Sequence, residues 1–251
     1  MKIATWNVNG IRARQAQFCE WVARDCPDVV CLQELKAEPS QVPEQCKLVD
    51  YHAFWHGGPR GYSGVSLHIR KGLLDAEPVF GHPDFDVESR IVQAGLGSLV
   101  LASVYVPNGN KDYAAKVSFL KRLAAWARQL EEEGRELVLC GDINVARAEI
   151  DVHPKERKPG IIGQRPEERE LFEALLGAPL VDVGRALDPD NANLFTWWPP
   201  WRNMRGRNIG WRLDYILASP AIAERAASCA VLADVGTSDH APVMMVTRDS
   251  S

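Results

Sequence analysis

Gly236-Thr237-Ser238-Asp239-His240-Ala241-Pro242-Val243 sets an acid and a histidine side by side, just ahead of an apolar run. On a regular strand, neighbouring side chains point to opposite faces. In a turn that feeds a strand, both can face one cavity. Taken alone, Gly, Ser and Asp before a strand are ordinary turn chemistry. The stretch gains weight from the polar residues that close other apolar runs. "ATWN" ends at Asn7, "DVVCLQE" at Glu34, and "LVLASVYV" carries Tyr105 near its end, ahead of Pro107-Asn108-Gly109. "ELVLCGDIN" ends in Asp142 and Asn144. These lie at C-terminal strand ends, where α/β sheets carry their chemistry. Asp214, in "WRLDYIL", and the Asp239-His240 pair lie at strand starts. All these sites can meet only if the last two strands run opposite to the others, which predicts mixed sheets.

The rest of the chain fits that reading. Short β-rich runs ("KIATWN", "DVVCLQ", "GVSLHI", "LVLASVYV", "ELVLCGD", "LDYILA", "APVMMV") predict strands. Residues 13–24, 113–133 and 166–176 predict helices. In the second, Phe119, Leu120, Leu123, Trp126, Ala127 and Leu130 fall at helical spacing and Gly134 ends the run. Nothing reads as a linker or repeat between halves, so one α/β domain over residues 1–251 is expected. Residues 153–166 and 199–210 are Pro/Gly/Arg-rich and read as long surface loops, which in compact domains tend to carry function.

Composition narrows the function classes. The chain has 251 residues, 46% hydrophobic and 25% charged, an ordinary globular balance. The N-terminus lacks the apolar core of a signal peptide, and no apolar run approaches a membrane span. The six cysteines form no Cys-x-x-Cys pair, and Cys31 and Cys140 sit inside apolar runs. A cytoplasmic protein without structural disulfides is expected. The net charge of −4 argues against a uniformly basic nucleic-acid binder. Yet residues 202–212, "RNMRGRNIGWR", hold Arg202, Arg205, Arg207 and Arg212 with no acid, a local footprint that invites phosphate. Oxygen donors from Glu34, Asp239 and Asn7 suit a hard divalent cation such as Mg²⁺. No Cys/His set has zinc spacing.

Seven blocks, "TWNVNGIR", "LQELK", "GYSGVSL", "VYVPNG", "LCGDINVA", "GWRLDYILAS" and "SDHAPV", occur in this order from residue 5 to 243. In that order they resemble the exonuclease III/AP endonuclease family of DNA-repair enzymes. The resemblance implies a DNase I-like, four-layered α/β sandwich: two packed mixed β-sheets flanked by helices. It implies hydrolysis of the phosphodiester 5′ to an abasic site in duplex DNA, leaving a 3′-hydroxyl, with 3′→5′ exonuclease and 3′-phosphatase activity on blocked 3′ ends. It also implies a monomer working with Mg²⁺, for which Mn²⁺ substitutes.

The roles that follow are those the resemblance implies. Glu34 is the main metal carboxylate, and Asn7 and Asp239 shape its site, with Asp142, Asn144 and His240 counted in the wider metal set. Asp142 orients or deprotonates the attacking water and Asn144 positions it. His240 faces the scissile phosphate, Asp214 fixes the imidazole, and Tyr105 sits near the leaving oxygen or a phosphate oxygen. Trp197, Trp211 and Leu213 wall an apolar box for a sugar without its base, with the small Gly163 beside it. Trp201 takes the place of a minor-groove wedge, with Trp198 and Arg202 as alternatives. Arg12, Lys36, Tyr62, Arg205 and Arg207 are expected phosphate contacts. Lys111 is the nearest basic candidate for a second DNA-inserting residue, and Asn9 stands where some members carry an acid.

Other classes share pieces of this pattern. Phosphoinositide phosphatases and sphingomyelinases overlap in G-D-x-N and S-D-H, but the "GWRLDY" block and its tryptophans favour DNA. A family member limited to 3′-end processing keeps the same catalytic set. A non-enzymatic nucleic-acid-binding regulator predicts decayed ligands, whereas Asn7, Glu34, Asp142, Asn144, Asp214, Asp239 and His240 are all present.

Overall fold

Runs that are apolar at every position must bury both faces, and this chain supplies both covers. The computed structural model describes residues 1–73, 77–158 and 160–248. Its first part runs β1 (Lys2–Asn7), α1 (Ile11–Asp25), β2 (Val29–Gln33), β3 (Tyr51–His56), β4 (Val65–Arg70), β5 (Val79–Gly81), β6 (Ile91–Leu96) and β7 (Leu99–Tyr105). Then follow α2 (Tyr113–Glu132), β8 (Glu136–Asp142), α3 (Pro166–Leu176), β9 (Val181–Asp182), α4 (Val183–Leu187), β10 (Asp214–Ala218), α5 (Pro220–Ala223), β11 (Ala226–Val231) and β12 (Val243–Thr247).

The strands form two six-stranded mixed sheets, ordered β11-β12-β1-β2-β4-β3 and β5-β6-β7-β8-β10-β9. Each sheet is built around one parallel pair, β1 with β2 and β7 with β8, joined by a helical crossover through α1 or α2. The required reversal is present. β12 runs antiparallel to β1, with Val243 opposite Thr5, and β10 runs antiparallel to β8, with Asp214 opposite Asp142.

Along β8, Leu137 and Leu139 face the helices α2 and α3, where Phe119, Leu120, Leu123, Phe172 and Leu175 meet them. The alternate residues, Val138 and Cys140, face the other sheet and pack with Ile3, Val29, Cys31 and Leu67. On the far side α1 lays Phe18, Trp21 and Val22 over Ala4, Trp6, Val30 and Leu32. The layers are therefore helix, sheet, sheet, helix. The strand-end polar residues stand at one edge of this stack.

Three helices occur where their periodicity places them. Asp112 caps α2, its carboxylate accepting from the Ala115 amide at 2.9 Å. Five strands escape the sequence patterns. β3 is an edge strand with no fully buried residue, β5 and β9 are very short, β11 is rich in Ala rather than β-branched residues, and in β6 the apolar start Ile91-Val92 gives way to Gln93-Ala94-Gly95. The short helices α4 and α5 carry too few residues to show a period. The loop 153–166 holds a short 3₁₀ turn at Pro154–Glu156, and its Pro159 lies outside the described residues. Among the described residues no helix is long and apolar enough to cross a membrane, and all six cysteines are free.

Gly141, one residue before Asp142, has φ of 150°, and a Cβ there would run into the Val104 carbonyl of the paired strand. Gly141→Ala is expected to lower the unfolding free energy in urea by about 3 kcal/mol. A loss below about 1 kcal/mol would show that the β7–β8 spacing does not depend on this glycine.

Candidate active site

Both sheets end at one cavity of about 690 Å³. Glu34, Tyr105, Asp142, Asn144, Asp239 and His240 line its polar side; Trp197, Trp211, Leu213 and Gly163 line its apolar side. Asn7 and Asp214 lie just behind, fully or almost fully buried.

The register explains the acid cluster. Asp142 and Asp214 are cross-strand partners, so two carboxylates sit side by side in a dry interior. That arrangement is untenable without a cation or a proton. His240 supplies the charge: its Nδ1 lies 2.8 Å from Asp214 Oδ2, and its Nε2 lies 3.9 Å from Asp142 Oδ2. Burial disfavours a charged imidazole, but the Asp214 and Asp142 carboxylates outweigh it and hold the ring up to about 10. Burial, reinforced by the Asp214 charge, pushes Asp142 up to about 7, against the pull of His240. Asn7 Nδ2 donates to Asp142 Oδ2 at 2.9 Å, and the Asn144 amide donates to Oδ1 at 2.9 Å. Asn144 has φ of 54°, a left-handed bend that turns its side-chain amide back to the Val106 carbonyl and Asp142.

The loop that opened the sequence reading is tied down on every side. Trp6 Nε1 donates to the His240 carbonyl and Ser238 Oγ to the Asn7 carbonyl. Asp239 accepts from Asn9 Nδ2 at 2.7 Å and from Trp197 Nε1 at 3.0 Å. Burial would raise Asp239, but His240 and these two donors hold it below the usual carboxylate range. Trp197 is therefore both a cavity wall and a clamp on an acid. Tyr105 is pushed well above its ordinary value by burial and by the Glu34 and Asp142 charges, so it is a neutral phenol at physiological pH.

The cation chemistry of the site is visible in Lys36. Its ammonium sits 2.9 Å from Glu34 Oε1 and 2.5 Å from Asn9 Oδ1, on a half-exposed side chain able to swing away. A cluster of oxygens that draws in an ammonium fits a hard cation, and the donors around Glu34 are carboxylate and amide oxygens. Asp142, Asp214 and His240 also bring ligand atoms within 4.8 Å of one another, an acidic cluster able to hold a metal ion. Their mutual hydrogen bond and the charge on His240 make the Glu34 side the better seat. A second group, His56, His82 and Asp86, is accounted for without metal: His56 Nε2 pairs with Asp86 at 2.8 Å and His82 stacks on His56 with the rings 14° from parallel.

The apolar wall is built from the edge-to-face pair Trp197–Trp211, with centroids 5.5 Å apart. Gly163 has φ of 90°, and a Cβ there would sit 3.0 Å from Trp211 Cζ3. Behind the wall Arg212, 4% exposed, is held between Asp151 and Asp182 by four hydrogen bonds of 2.6–3.2 Å.

The basic residues separate into two kinds. Arg205 turns inward: its three nitrogens donate to the Ala233, Val235 and Ser238 carbonyls, and its guanidinium lies over the Trp198 ring. It is a strut for the Asp239-His240 loop, which corrects the expectation of a phosphate contact. Trp198 is 2% exposed beneath it, which removes it as a wedge, whereas Trp201 is 57% exposed at the tip of the same loop. Arg202 and Arg207 are exposed beside it. Arg12, Lys36, Arg60, Tyr62 and Lys111 line a second cavity of about 630 Å³ that shares Glu34 and Tyr105 with the first. Arg90, which no motif marked, lies 5.1 Å from the Tyr105 ring centre and 5.3 Å from that of Tyr62, and donates to the Tyr62 hydroxyl. Asn9, which holds Asp239 and the Lys36 ammonium, stands two residues after Asn7, and that spacing is its signal in the sequence.

Asp214→Asn removes the charge nearest the imidazole. His240 is then expected to titrate close to neutrality instead of near 10, read from its ring resonances by NMR. An unchanged titration would show that Asp142 alone holds the charge.

Comparison with known proteins agrees with this geometry. The model of the Endonuclease/Exonuclease/phosphatase family matches residues 4–240. The chain is 33% identical to the exodeoxyribonuclease of Bacillus subtilis, over 98% of this chain and 99% of that one. It is 35% identical to the DNA repair nuclease APEX1 of Danio rerio, over 98% and 81%. The solved structure of an AP endonuclease from Archaeoglobus fulgidus superposes with a TM-score of 0.87 at 31% identity, covering 98% and 99% of the two chains. A 3′ phosphatase from Neisseria, bound to product DNA hairpin, gives 0.88 at 30% identity over 99% of each chain. With two mixed sheets converging on one buried acid–histidine cluster, and with matches that run almost end to end, this chain belongs to the endonuclease/exonuclease/phosphatase family.

Proposed function

We propose that this protein is a DNA-repair AP endonuclease. It hydrolyses the phosphodiester 5′ to an abasic site in duplex DNA to leave a 3′-hydroxyl, and it also processes 3′ ends. The observation that carries the reading is the single cavity in which a buried Asp142–His240–Asp214 cluster faces an apolar Trp197/Trp211/Leu213 wall. The polar side suits a phosphate; the apolar side suits a deoxyribose without a base.

In this mechanism Asp142, raised to about 7, accepts the proton of the attacking water, near the ideal for a general base at neutral pH. Asn144 fixes the carboxylate and the water. The new oxygen–phosphorus bond forms as the bond to the 3′-oxygen of the preceding nucleotide breaks. His240, held as an imidazolium, stabilises the charge on the phosphoryl oxygens, and Asp214 keeps the ring aimed. Tyr105, a neutral phenol, donates a hydrogen bond at the phosphate or the leaving oxygen. Glu34, with Asn7 and Asp239, holds Mg²⁺, or Mn²⁺ in its place; bound there, the ion supplies positive charge to the phosphate.

Duplex DNA is gripped by Arg12, Lys36, Tyr62 and Arg207 through phosphates, with Lys111 beside Tyr62. The exposed Trp201 fills the gap left by the extruded sugar. We place the protein, as a monomer, in a reducing cytoplasm, where its six cysteines would stay as thiols. The likeness to a 3′ phosphatase supports a second reading, in which 3′-end processing is the sole activity.

The test uses a duplex with one tetrahydrofuran abasic analogue beside an undamaged duplex with a recessed 3′ end. A single nick 5′ to the lesion is expected with Mg²⁺ and none with chelator. Asp142→Asn should lower kcat by about 10³-fold and His240→Ala by about 10²-fold or more. Degradation only from the 3′ end would select the second reading. His240→Ala within about threefold of wild type would remove His240 from the chemistry.

A further inference from the structure

Two groups outside the mechanism are the most deeply buried ion pair near the cavity. Lys116 in α2 and Glu168 in α3 are both 0% exposed, with Nζ and Oε1 2.5 Å apart. Neither lines the cavity. Each instead reaches the backbone of loops that do. Lys116 Nζ donates to the Asn144 carbonyl at 2.7 Å and approaches the Asn108 carbonyl at 3.4 Å. Glu168 Oε2 accepts from the Gly163 amide at 2.7 Å and the Arg165 amide at 3.0 Å. The loop after β7 presses on the lysine stem as well: a Cβ on Gly109 would meet Lys116 Cδ at 2.9 Å.

A buried pair rarely stabilises a fold more than well-packed apolar residues of the same volume would. Its worth here lies in what it holds. Asn144 sits in a left-handed bend, and Gly163 sits at φ of 90° against Trp211. Both conformations are disfavoured for a free chain or tolerated only by glycine, and both need an outside hold. The ion pair bolts the two loops together, and Ala146 donating to the Gly163 carbonyl at 2.8 Å closes the same ring.

We infer that Lys116 and Glu168 are positioning residues for the reaction: one buried ion pair sets the Asn144 bend against the Gly163 wall, and thereby aligns the attacked phosphate with the abasic sugar's seat. The inference rests on the DNA reading given above. It concerns alignment, so it touches kcat more than affinity: Asn144 and Gly163 line the reaction cavity, and the pair only borders the phosphate-gripping groove, through Asn108 and Gly109.

The test is the double variant Lys116→Met/Glu168→Gln, which removes both charges while keeping an acceptor for the Gly163 and Arg165 amides. Steady-state kinetics on the tetrahydrofuran duplex should show kcat lower by about 10²-fold and KM within about threefold of wild type. Its melting temperature should stay close to that of wild type. Glu173→Gln, a change on the same helix that breaks a partly exposed pair with Arg147 in the loop after β8, should keep wild-type kcat. A folded double variant with kcat within about threefold of wild type would overturn the inference, as would a change confined to KM. If the double variant does not fold, Glu168→Asp, which withdraws the carboxylate by one methylene, is held to the same numbers. Wild-type protein that cleaves neither duplex would sink the DNA reading instead. Amide exchange at Ala146 and Gly163 would then decide the positioning claim, faster exchange in the variant supporting it and unchanged exchange overturning it.

Discussion

Two carboxylates face each other across a pair of antiparallel strands, and one protonated imidazole lies against both. Asp142 and Asp214 could not share that dry interior without His240, and His240 could not keep its charge there without them. Each of the three comes from a different strand end or turn, so the cluster forms only when both sheets have closed on each other. Chemistry and topology are thus a single constraint: reversing β10 and β12 against β8 and β1 carries the acid and the histidine to the edge where the parallel strands finish.

The parallel pairs explain why that edge exists. In β1–α1–β2 and β7–α2–β8, the crossover helix returns the chain to the same end of the sheet, so both strands of each pair deliver their last residues to one place. Asn7 and Glu34 arrive from one sheet, Tyr105 and Asp142 from the other. The glycines and left-handed bends around them, at Gly141, Asn144 and Gly163, are local departures from regular backbone that turn those residues into the cavity.

The legible part of this molecule is the part with short-range rules. Apolar runs buried on both faces announced β7 and β8, helical spacing announced α2, and polar residues at the ends of those runs announced the catalytic edge. What stayed hidden depends on partners far away in the chain. Arg205 looks like any loop arginine until the three carbonyls of residues 233–238 fold around it. Arg90 has no motif; it matters because Tyr62 and Tyr105 close on either side of it. Lys116 and Glu168 each read as a polar residue on an amphipathic helix, and only the packing of α2 on α3 makes them a pair. The strand β11 was invisible because Ala carries little β signal of its own and was recruited by β12, and β6 because Gln93-Ala94-Gly95 cuts short its apolar start.

Trp197 gives the cavity a property that neither of its sides has alone. Its ring is part of the apolar wall, and its indole nitrogen is hydrogen-bonded to Asp239 at 3.0 Å. Wall and acid are one mechanical part, so the ring cannot tilt without disturbing a carboxylate beside the phosphate seat. A poorly fitting occupant that shifts the indole misplaces a charge at the same moment. Discrimination of this kind acts on the reaction rather than on residence: the wrong guest can enter and stay, and still find the machinery out of line.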